Sequence, residues 1–173
     1  MSRAFIKEDA DAEQVLVTPR PPLPEGVDNL VTPAGLAALE EELAALQAEA
    51  AELAALPTET SGSNAVRRLA ALDEEIPALE DRLRSAVLVP TPAPGTDVVQ
   101  VGATVTVKDA AAGAQPNSFV IVGVDEADPL EGLVAFTAPV AQALLGKQLG
   151  ATATFTTGDG VTRSVLLVDV KYD

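Results

Sequence analysis

The sequence predicts an α+β fold in which a long helical part precedes a small, mainly antiparallel sheet. Apolar residues recur at steps of three and four between Thr32 and Val87, whereas beyond residue 98 they alternate or form short runs. A proline-rich stretch, Pro90–Gly95, separates the two patterns. We therefore divide the chain into a tail (1–31), an antiparallel coiled-coil hairpin (32–87), a linker (88–97) and a sheet domain (98–173).

Composition excludes several classes of function. The 173 residues contain neither cysteine nor histidine, which removes disulfides, thiolate and imidazole catalysis, and the usual zinc ligands. The formal net charge of −15 argues against binding nucleic acid through its phosphates and favours a basic protein surface or a cation as partner. We expect no cofactor of the chain's own.

The N-terminal tail is expected to be mostly disordered and partly extended. Met1–Val31 has four prolines and mixed charges, and Met1–Ala10 lacks the apolar centre of a signal peptide. A docking peptide for a second partner is the alternative interpretation of this tail. The sequence has no apolar run of membrane-spanning length, so we expect no contact with a membrane. We further expect the protein to be cytoplasmic and monomeric.

Two matched arms, Pro33–Leu56 and Asn64–Val87, form the predicted hairpin, each roughly 36 Å long at the helical rise. Thr32 is a suitable N-cap and Pro33 a suitable first helical residue. Either Ser63 or Asn64 can cap the second arm. The apolar seam consists of Leu36, Leu39, Leu43, Leu46, Ala50, Leu53 and Leu56 in the first arm and Val66, Leu69, Leu72, Ile76, Leu79, Leu83 and Val87 in the second.

Two residues conflict with the helical pattern. Gly35 is a weak point in an arm otherwise rich in alanine and leucine. Pro77 lies inside the second arm, where it removes the hydrogen bond to the carbonyl of Asp73. We expect a kink there, or a break into two shorter helices.

Five strands and one helix are predicted for the sheet domain. The strands are 104–108, 119–122, 133–136, 151–156 and 165–170. Thr157–Gly160 has the composition of a hairpin turn between the last two. Ala138–Leu145 is the helix, with Pro139 at its start and Gly146 after its end.

Three stretches resemble the Gre-type transcription elongation factors of bacterial RNA polymerase (the GreA/GreB family). Val31–Leu36 with the following Leu39 and Glu41-Glu42-Leu43 is similar to the family's opening motif. Ile121–Asp128 (Ile-Val-Gly-Val-Asp-Glu-Ala-Asp) and Ala138–Lys147 resemble two motifs of its C-terminal domain. Val168–Tyr172 matches the usual ending. The order and spacing of these motifs carry the resemblance.

The resemblance implies a fold and a partner. The C-terminal part would be an FKBP-like domain that docks at the rim of the polymerase secondary channel, with the hairpin passing inward. The implied docking residues are Asp125, Glu126, Asp128, Pro139, Gln142 and Lys147. Gln142 replaces the family's arginine. A cation site or a solvated loop is the alternative interpretation of the three acidic residues.

The hairpin tip departs from the family pattern. In cleavage factors two tip acids help to hold a second magnesium ion bound by the polymerase, as hard dications prefer carboxylate oxygens. Aligned with that motif, this chain has Thr60 and Ser63, and Glu59 is the turn's only carboxylate. Asn64 and Arg67 complete the predicted tip; Arg67 and Arg68 either contact phosphate or acids, or are solvated. The first arm also looks roughly two turns, or about 10 Å, shorter than in cleavage factors.

Three functions remain at this point. The leading one is a non-enzymatic factor that occupies the secondary channel and modulates transcription without strong cleavage. The second is an active cleavage cofactor that uses Glu59. The third, a peptidyl-prolyl isomerase, follows only from the FKBP-like expectation, and the domain's few aromatic residues argue against it.

Overall fold

The computed structural model describes residues 20–57, 62–93, 95–109 and 114–172. Predictions for the tail up to residue 19, and for Glu59 and Thr60 at the tip, lie outside these ranges. The elements are, in chain order, β1 (Asn29–Val31), α1 (Pro33–Ala54), α2 (Ser63–Arg84), β2 (Ala86–Leu88), β3 (Thr104–Asp109), β4 (Asn117–Val122), β5 (Leu133–Ala135), α3 (Pro139–Leu144), β6 (Thr152–Thr156) and β7 (Thr162–Lys171).

The C-terminal part is a five-stranded sheet with the strand order β5-β4-β3-β7-β6. All neighbours are antiparallel except β4 and β5, which are parallel. The predicted α+β class is confirmed, and each of the five predicted strands is present within a few residues of its expected bounds. Thr157 donates its N–H to the carbonyl of Val161 at 2.9 Å, which closes the predicted turn between β6 and β7.

One face of this sheet forms the main core. Strand residues alternate between the two faces, so that every second side chain points inward. Short helix α3 packs against this face through Ala141 and Leu144, both fully buried. The inward strand residues are Val105, Val107, Phe119, Ile121, Ala153, Val165 and Leu167.

Helices α1 and α2, here called the helix pair, pack along the predicted seam. Leu39, Leu72 and Leu79 are buried, whereas Leu56 and Val66 near the distal end are 45% and 59% exposed. The seam is therefore closed along the body of the pair and open at its distal end. Neither helix, nor α3, is both long and apolar enough to cross a membrane.

A small two-stranded sheet corrects two predicted boundaries. β1 and β2 pair in parallel, with Asn29 opposite Ala86 and Val31 opposite Leu88. Residues 29–31 were expected in a mostly disordered, partly extended tail, and the structure places them in a paired strand instead. Residues 86–87 were expected in the second arm, and that boundary is wrong. The cause is Asn29, whose buried side-chain amide donates to the carbonyl of Arg82 at 2.9 Å and so satisfies the end of α2.

The proline inside α2 does not break the helix. α2 is continuous from Ser63 to Arg84 with Pro77 in its interior, so the alternative of two shorter helices is excluded. Both Pro77 and Asp73 are exposed. Water can therefore bind the carbonyl that the proline leaves without a helical donor, which lowers the cost of this residue.

Candidate functional site

The loop that follows β4 joins the sheet to the start of the helix pair through Glu126. Oε1 of Glu126 accepts the backbone N–H of Thr32 at 3.0 Å and that of Gly123 at 3.1 Å, and Oε2 accepts the hydroxyl of Thr32. The same threonine oxygen accepts the N–H of Gly35 at 3.0 Å. Thr32 is therefore the predicted N-cap of α1, and Glu126 fixes it to the sheet domain.

Two glycines make room for this carboxylate. A Cβ atom at Gly35 would lie 2.0 Å from Cδ of Glu126. One at Gly123 would lie 2.6 Å from Oε1 of Glu126 and 2.7 Å from the carbonyl oxygen of Leu30. Gly35, expected to be only a weak point in the helix, thus permits the close approach of α1 to the loop.

The neighbouring Asp125 is buried between two arginines. Its side chain is 1% exposed; Oδ2 lies 3.0 Å from Nε of Arg82, and Oδ1 lies 3.5 Å from Nη1 of Arg20. Arg20 also pairs with Glu42 on α1. A buried carboxylate is tolerated when opposite charges surround it, and here they come from α2 and from the segment that precedes β1.

These contacts change the interpretation of two predicted docking residues. The side chains of Asp125 and Glu126 are engaged within the chain, and neither presents a free surface charge. Their main partners, Thr32, Arg82 and Arg20, are distant in sequence, and the residue types alone do not reveal this pairing. A contact of this loop with a polymerase remains a prediction.

The other four predicted docking residues are exposed: Asp128, Pro139, Gln142 and Lys147. A hydrogen bond of 2.8 Å from the N–H of Phe136 to the carbonyl of Val122 holds the segment before α3 next to the loop that carries Asp128. The four exposed residues, together with the turn that carries Asp128, are called the docking surface below. Asp128 and Lys147 give it charges of both signs.

Leu130, next to Asp128 on the docking surface, was not predicted from the sequence as a functional residue. Its side chain is 95% exposed, the largest value among the exposed large apolar residues described. Its N–H donates to Oδ1 of Asp128 at 2.9 Å, so the two side chains share one turn. The sequence does show a leucine between Pro129 and Glu131 in this turn. A single apolar residue in a loop is common, however, and carries little information about function.

The described part of the tip carries no acidic group. Leu56, Pro57, Gly62, Ser63 and Asn64 flank the gap, and the first charged residue after it is Arg67. Gly62 occupies the N-cap position of α2 without a side-chain bond, so the expected cap at Ser63 or Asn64 is wrong by one or two residues.

The two arginines after the tip differ. Arg67 is exposed and donates to Oγ of Ser63 at 3.4 Å. Arg68 instead binds Glu49 on α1 with two contacts of 2.7 Å and also contacts Glu75 at 3.0 Å. The hydrogen bond from Arg68 lowers the pKa of Glu49 below its ordinary value. Of the two, Arg67 is therefore the residue available to an outside partner.

No group of three or more acidic, histidine or cysteine side chains among the described residues is arranged to hold a metal ion. Glu59 and Thr60 lie outside that part of the chain, and the structure does not bear on their predicted roles. At the tip as described, hydroxyl and amide groups stand next to one arginine. Neutral oxygens bind divalent cations weakly when no carboxylate assists them.

Residues 93–172 match the family described as "Transcription elongation factor, GreA/GreB, C-term". The C-terminal part of the chain is thus similar to the C-terminal domain of that family. The matched stretch contains the loop with Asp125 and Glu126 as well as the whole docking surface.

Curated proteins that are similar to this chain are named transcription elongation factor GreA. The one from Methylococcus capsulatus is 43% identical over 74 residues, which cover 43% of this chain and 46% of the relative. That from Bacillus cereus is 42% identical over 73 residues, or 42% of this chain and 45% of the relative. The chain thus matches less than half the length of these relatives.

Among solved structures, GreA factor homolog 1 (Gfh1) of Thermus thermophilus aligns over 84% of this chain and 99% of its own, at 22% identity and a TM-score of 0.39.

Proposed function

We propose that the chain is a Gre-like transcription factor that binds RNA polymerase at the secondary channel and modulates elongation without strong stimulation of transcript cleavage. The observation that carries the proposal is the match of residues 93–172 to the GreA/GreB C-terminal domain. In this proposal the domain is FKBP-like, and the helix pair is a coiled-coil hairpin directed into the channel. The protein is not itself an enzyme and acts in the cytoplasm.

Binding is assigned to the docking surface. Asp128 and Lys147 supply exposed charges, and Leu130 supplies an exposed apolar side chain beside Asp128. Apolar side chains surrounded by polar groups commonly dominate the energy of protein interfaces. Asp125 and Glu126 act indirectly, because they fix the angle between the domain and the helix pair.

The weak cleavage activity is assigned to the tip. Its described residues offer hydroxyl, amide and guanidinium groups, which cannot supply the negative oxygens that a second magnesium ion requires. Arg67 adds positive charge at the place where cleavage factors need negative charge. A factor with such a tip occupies the channel and hinders other factors from entering it.

A transcript-cleavage assay on a backtracked elongation complex with the cognate polymerase tests the proposal. We expect the protein to compete with a cleavage-active Gre factor for the complex while producing little cleavage. Absence of competition would refute the assignment of the partner. Competition accompanied by efficient cleavage would instead favour the second function, an active cleavage factor.

A further inference from the structure

β6 is an edge strand of the described sheet, and none of the described strands pairs with its outer side. It lies at the end of the strand order and is hydrogen-bonded only to β7 among the described strands. Leu167 donates its N–H to the carbonyl of Ala151, and Thr157 donates to Val161, both at 2.9 Å. In an antiparallel pair every second residue forms backbone hydrogen bonds with the neighbouring strand. The residues on the β6 side that bond to β7 are therefore the odd-numbered ones, from Ala151 to Thr157. The backbone groups of Thr152, Thr154 and Thr156 therefore point outward.

This edge lacks the features that usually prevent strands from pairing with other molecules. Such edges carry charges, prolines or bulges. β6 reads Thr-Ala-Thr-Phe-Thr, without a charge or a proline, and the irregularity of this sheet lies between β3 and β7 instead. All three outward threonines are exposed. An uncharged edge is unexpected in a chain with a net charge of −15.

We propose that β6 pairs antiparallel with β6 of a second copy of the chain, around a two-fold axis at Thr154. In this register Thr154 meets its own counterpart, and Thr152 meets Thr156 of the other copy. All of these residues have outward backbone groups, so the pairing forms about six backbone hydrogen bonds and one continuous sheet across both copies. This inference does not depend on the proposed function.

The side chains favour a second copy over another partner. Threonine pairs across neighbouring strands are favourable, and this sheet already has such hydroxyl contacts, for example Thr154 with Ser164 and Thr156 with Thr162, both at 3.4 Å. No like charges meet along the edge, whereas most other surfaces of so acidic a chain repel their own copies.

The two ends of the interface are also complementary. The exposed Lys147 precedes β6, and the exposed Asp159 follows it. A two-fold axis brings the beginning of one β6 to the end of the other. The positive charge before β6 in one copy and the negative charge after β6 in the other copy are therefore brought to the same end of the interface. A hydrogen bond from Thr157 lowers the pKa of Asp159, so this carboxylate stays charged at neutral pH.

Such a contact is small and the dimer is weak. Two paired five-residue strands bury less total surface than the ~1,200 Å² that marks the low end of specific protein interfaces. We therefore expect association only at roughly 0.1 mM and above. The predicted monomer is the state at lower concentrations.

Sedimentation equilibrium of the full chain up to about 1 mM tests the proposal. The average mass is expected to rise above the monomer value of 17.7 kDa towards twice that value. Thr154→Lys sets two positive charges opposite each other, and Thr154→Pro removes an outward N–H without touching the bonds to β7. Both variants are expected to remain monomeric. Thr106→Lys, the same change on the same face of β3, is the control and is expected to associate like the parent.

Amide exchange identifies the interface in the parent itself. The amides of Thr152, Thr154 and Thr156 should exchange several-fold more slowly at 1 mM than at 0.05 mM, roughly the range that the weak dimer spans. A parent mass that stays at 17.7 kDa overturns the proposal. Association that leaves these three amides unprotected, or that persists unchanged in both Thr154 variants, overturns it as well.

Discussion

The backbone N–H of Thr32 lies 3.0 Å from Oε1 of Glu126, 94 residues away in the sequence. This bond links the residue that starts α1 to the loop that follows β4. Two stretches that were singled out separately for their likeness to Gre motifs are thus parts of one junction. The orientation of the helix pair relative to the sheet domain depends on this contact and on the pairing of Asp125 with Arg82.

The first prediction concerns the fit between Gly35 and Glu126. In an ordinary helix Gly→Ala stabilises by up to about 1 kcal/mol. Here we expect Gly35→Ala to lower the free energy of unfolding by about 1–3 kcal/mol, because the new methyl group displaces the carboxylate from its hydrogen bonds. Urea unfolding followed by circular dichroism measures the change.

A double-mutant cycle supplies the control. In a Glu126→Ala background the clash is absent, and Gly35→Ala should then stabilise the protein by the usual helical amount. The same loss of stability in both backgrounds would show that the glycine is required for another reason.

The sequence predicted those parts of the fold that depend on local periodicity. The five strands, α3 and the seam of the helix pair follow from alternation or from three-four spacing, because burial of one face imposes these patterns directly. β1 was missed since three residues are too short for any pattern, and its stability comes from pairing with β2 and from the bond of Asn29 to the end of α2. The roles of Asp125 and Glu126 were missed because their partners are distant in sequence.

The second prediction concerns the docking surface. Asp128→Lys and Leu130→Ser should each weaken polymerase binding, about tenfold for the leucine if it is buried in the complex. Leu130 is 95% exposed in the free chain, so Leu130→Ser should change stability by less than about 0.5 kcal/mol. Asp128→Lys also removes the acceptor of the Leu130 N–H and should cost about 1 kcal/mol, which the binding comparison takes into account. Asp125 is unsuitable for this test, because its replacement disrupts the pair with Arg82.

Binding is measured by fluorescence anisotropy at two salt concentrations. Asp128→Lys should also change the salt dependence, because exposed charges act through screened interactions. Leu149→Ser, an equivalent change at another exposed leucine, is the matched control. If Leu130→Ser binds as tightly as this control, the docking surface is misassigned.

The third prediction tests the seam of the helix pair. Leu79 is fully buried, so Leu79→Ala should cost about 2–4 kcal/mol. Leu56 belongs to the same predicted seam but is 45% exposed, and Leu56→Ala should cost less than about 1 kcal/mol. Chemical unfolding of both variants gives the comparison. Equal costs would mean that the distal end is as closely packed as the body.

The fourth prediction concerns Tyr172, which follows β7 and links it by hydrogen bonds to the segment before β3. Its hydroxyl donates to the carbonyl of Val98 at 2.5 Å and accepts the N–H of Gln100 at 2.9 Å. Burial raises the pKa of Tyr172 above its ordinary value of 10.0. The folded state therefore favours the neutral phenol more than the unfolded state does. This contribution to stability is complete below pH 10 and is lost as the pH rises through the raised pKa.

Tyr172→Phe separates this effect from the titration of lysines. At pH 8 the variant should be about 1 kcal/mol less stable than the parent, because the two backbone groups lose their partner. Between pH 9.5 and about 11.5 the difference should shrink, since only the parent has a phenol to ionise. A difference that is constant over this range would mean that Tyr172 does not contribute through its proton.

The last prediction concerns the tip and decides between the two leading functions. Glu59→Ala should leave polymerase binding nearly unchanged, because the assigned contacts lie on the docking surface. It should also leave cleavage at the low level of the parent, since one carboxylate does not hold a second magnesium ion.

Thr60→Asp combined with Ser63→Glu places two acids in a tip whose described neighbour Arg67 is positive. We still expect incomplete cleavage, because an arm about 10 Å shorter would leave these acids too far from the active centre. Adding Arg67→Ala to the double variant removes the positive charge and isolates the effect of the length of the arm.

Strong cleavage by the parent that Glu59→Ala abolishes would make Glu59 a catalytic residue and the chain a cleavage factor. Full cleavage by the double variant alone would show that the missing acids, and not the length of the arm, silence the tip.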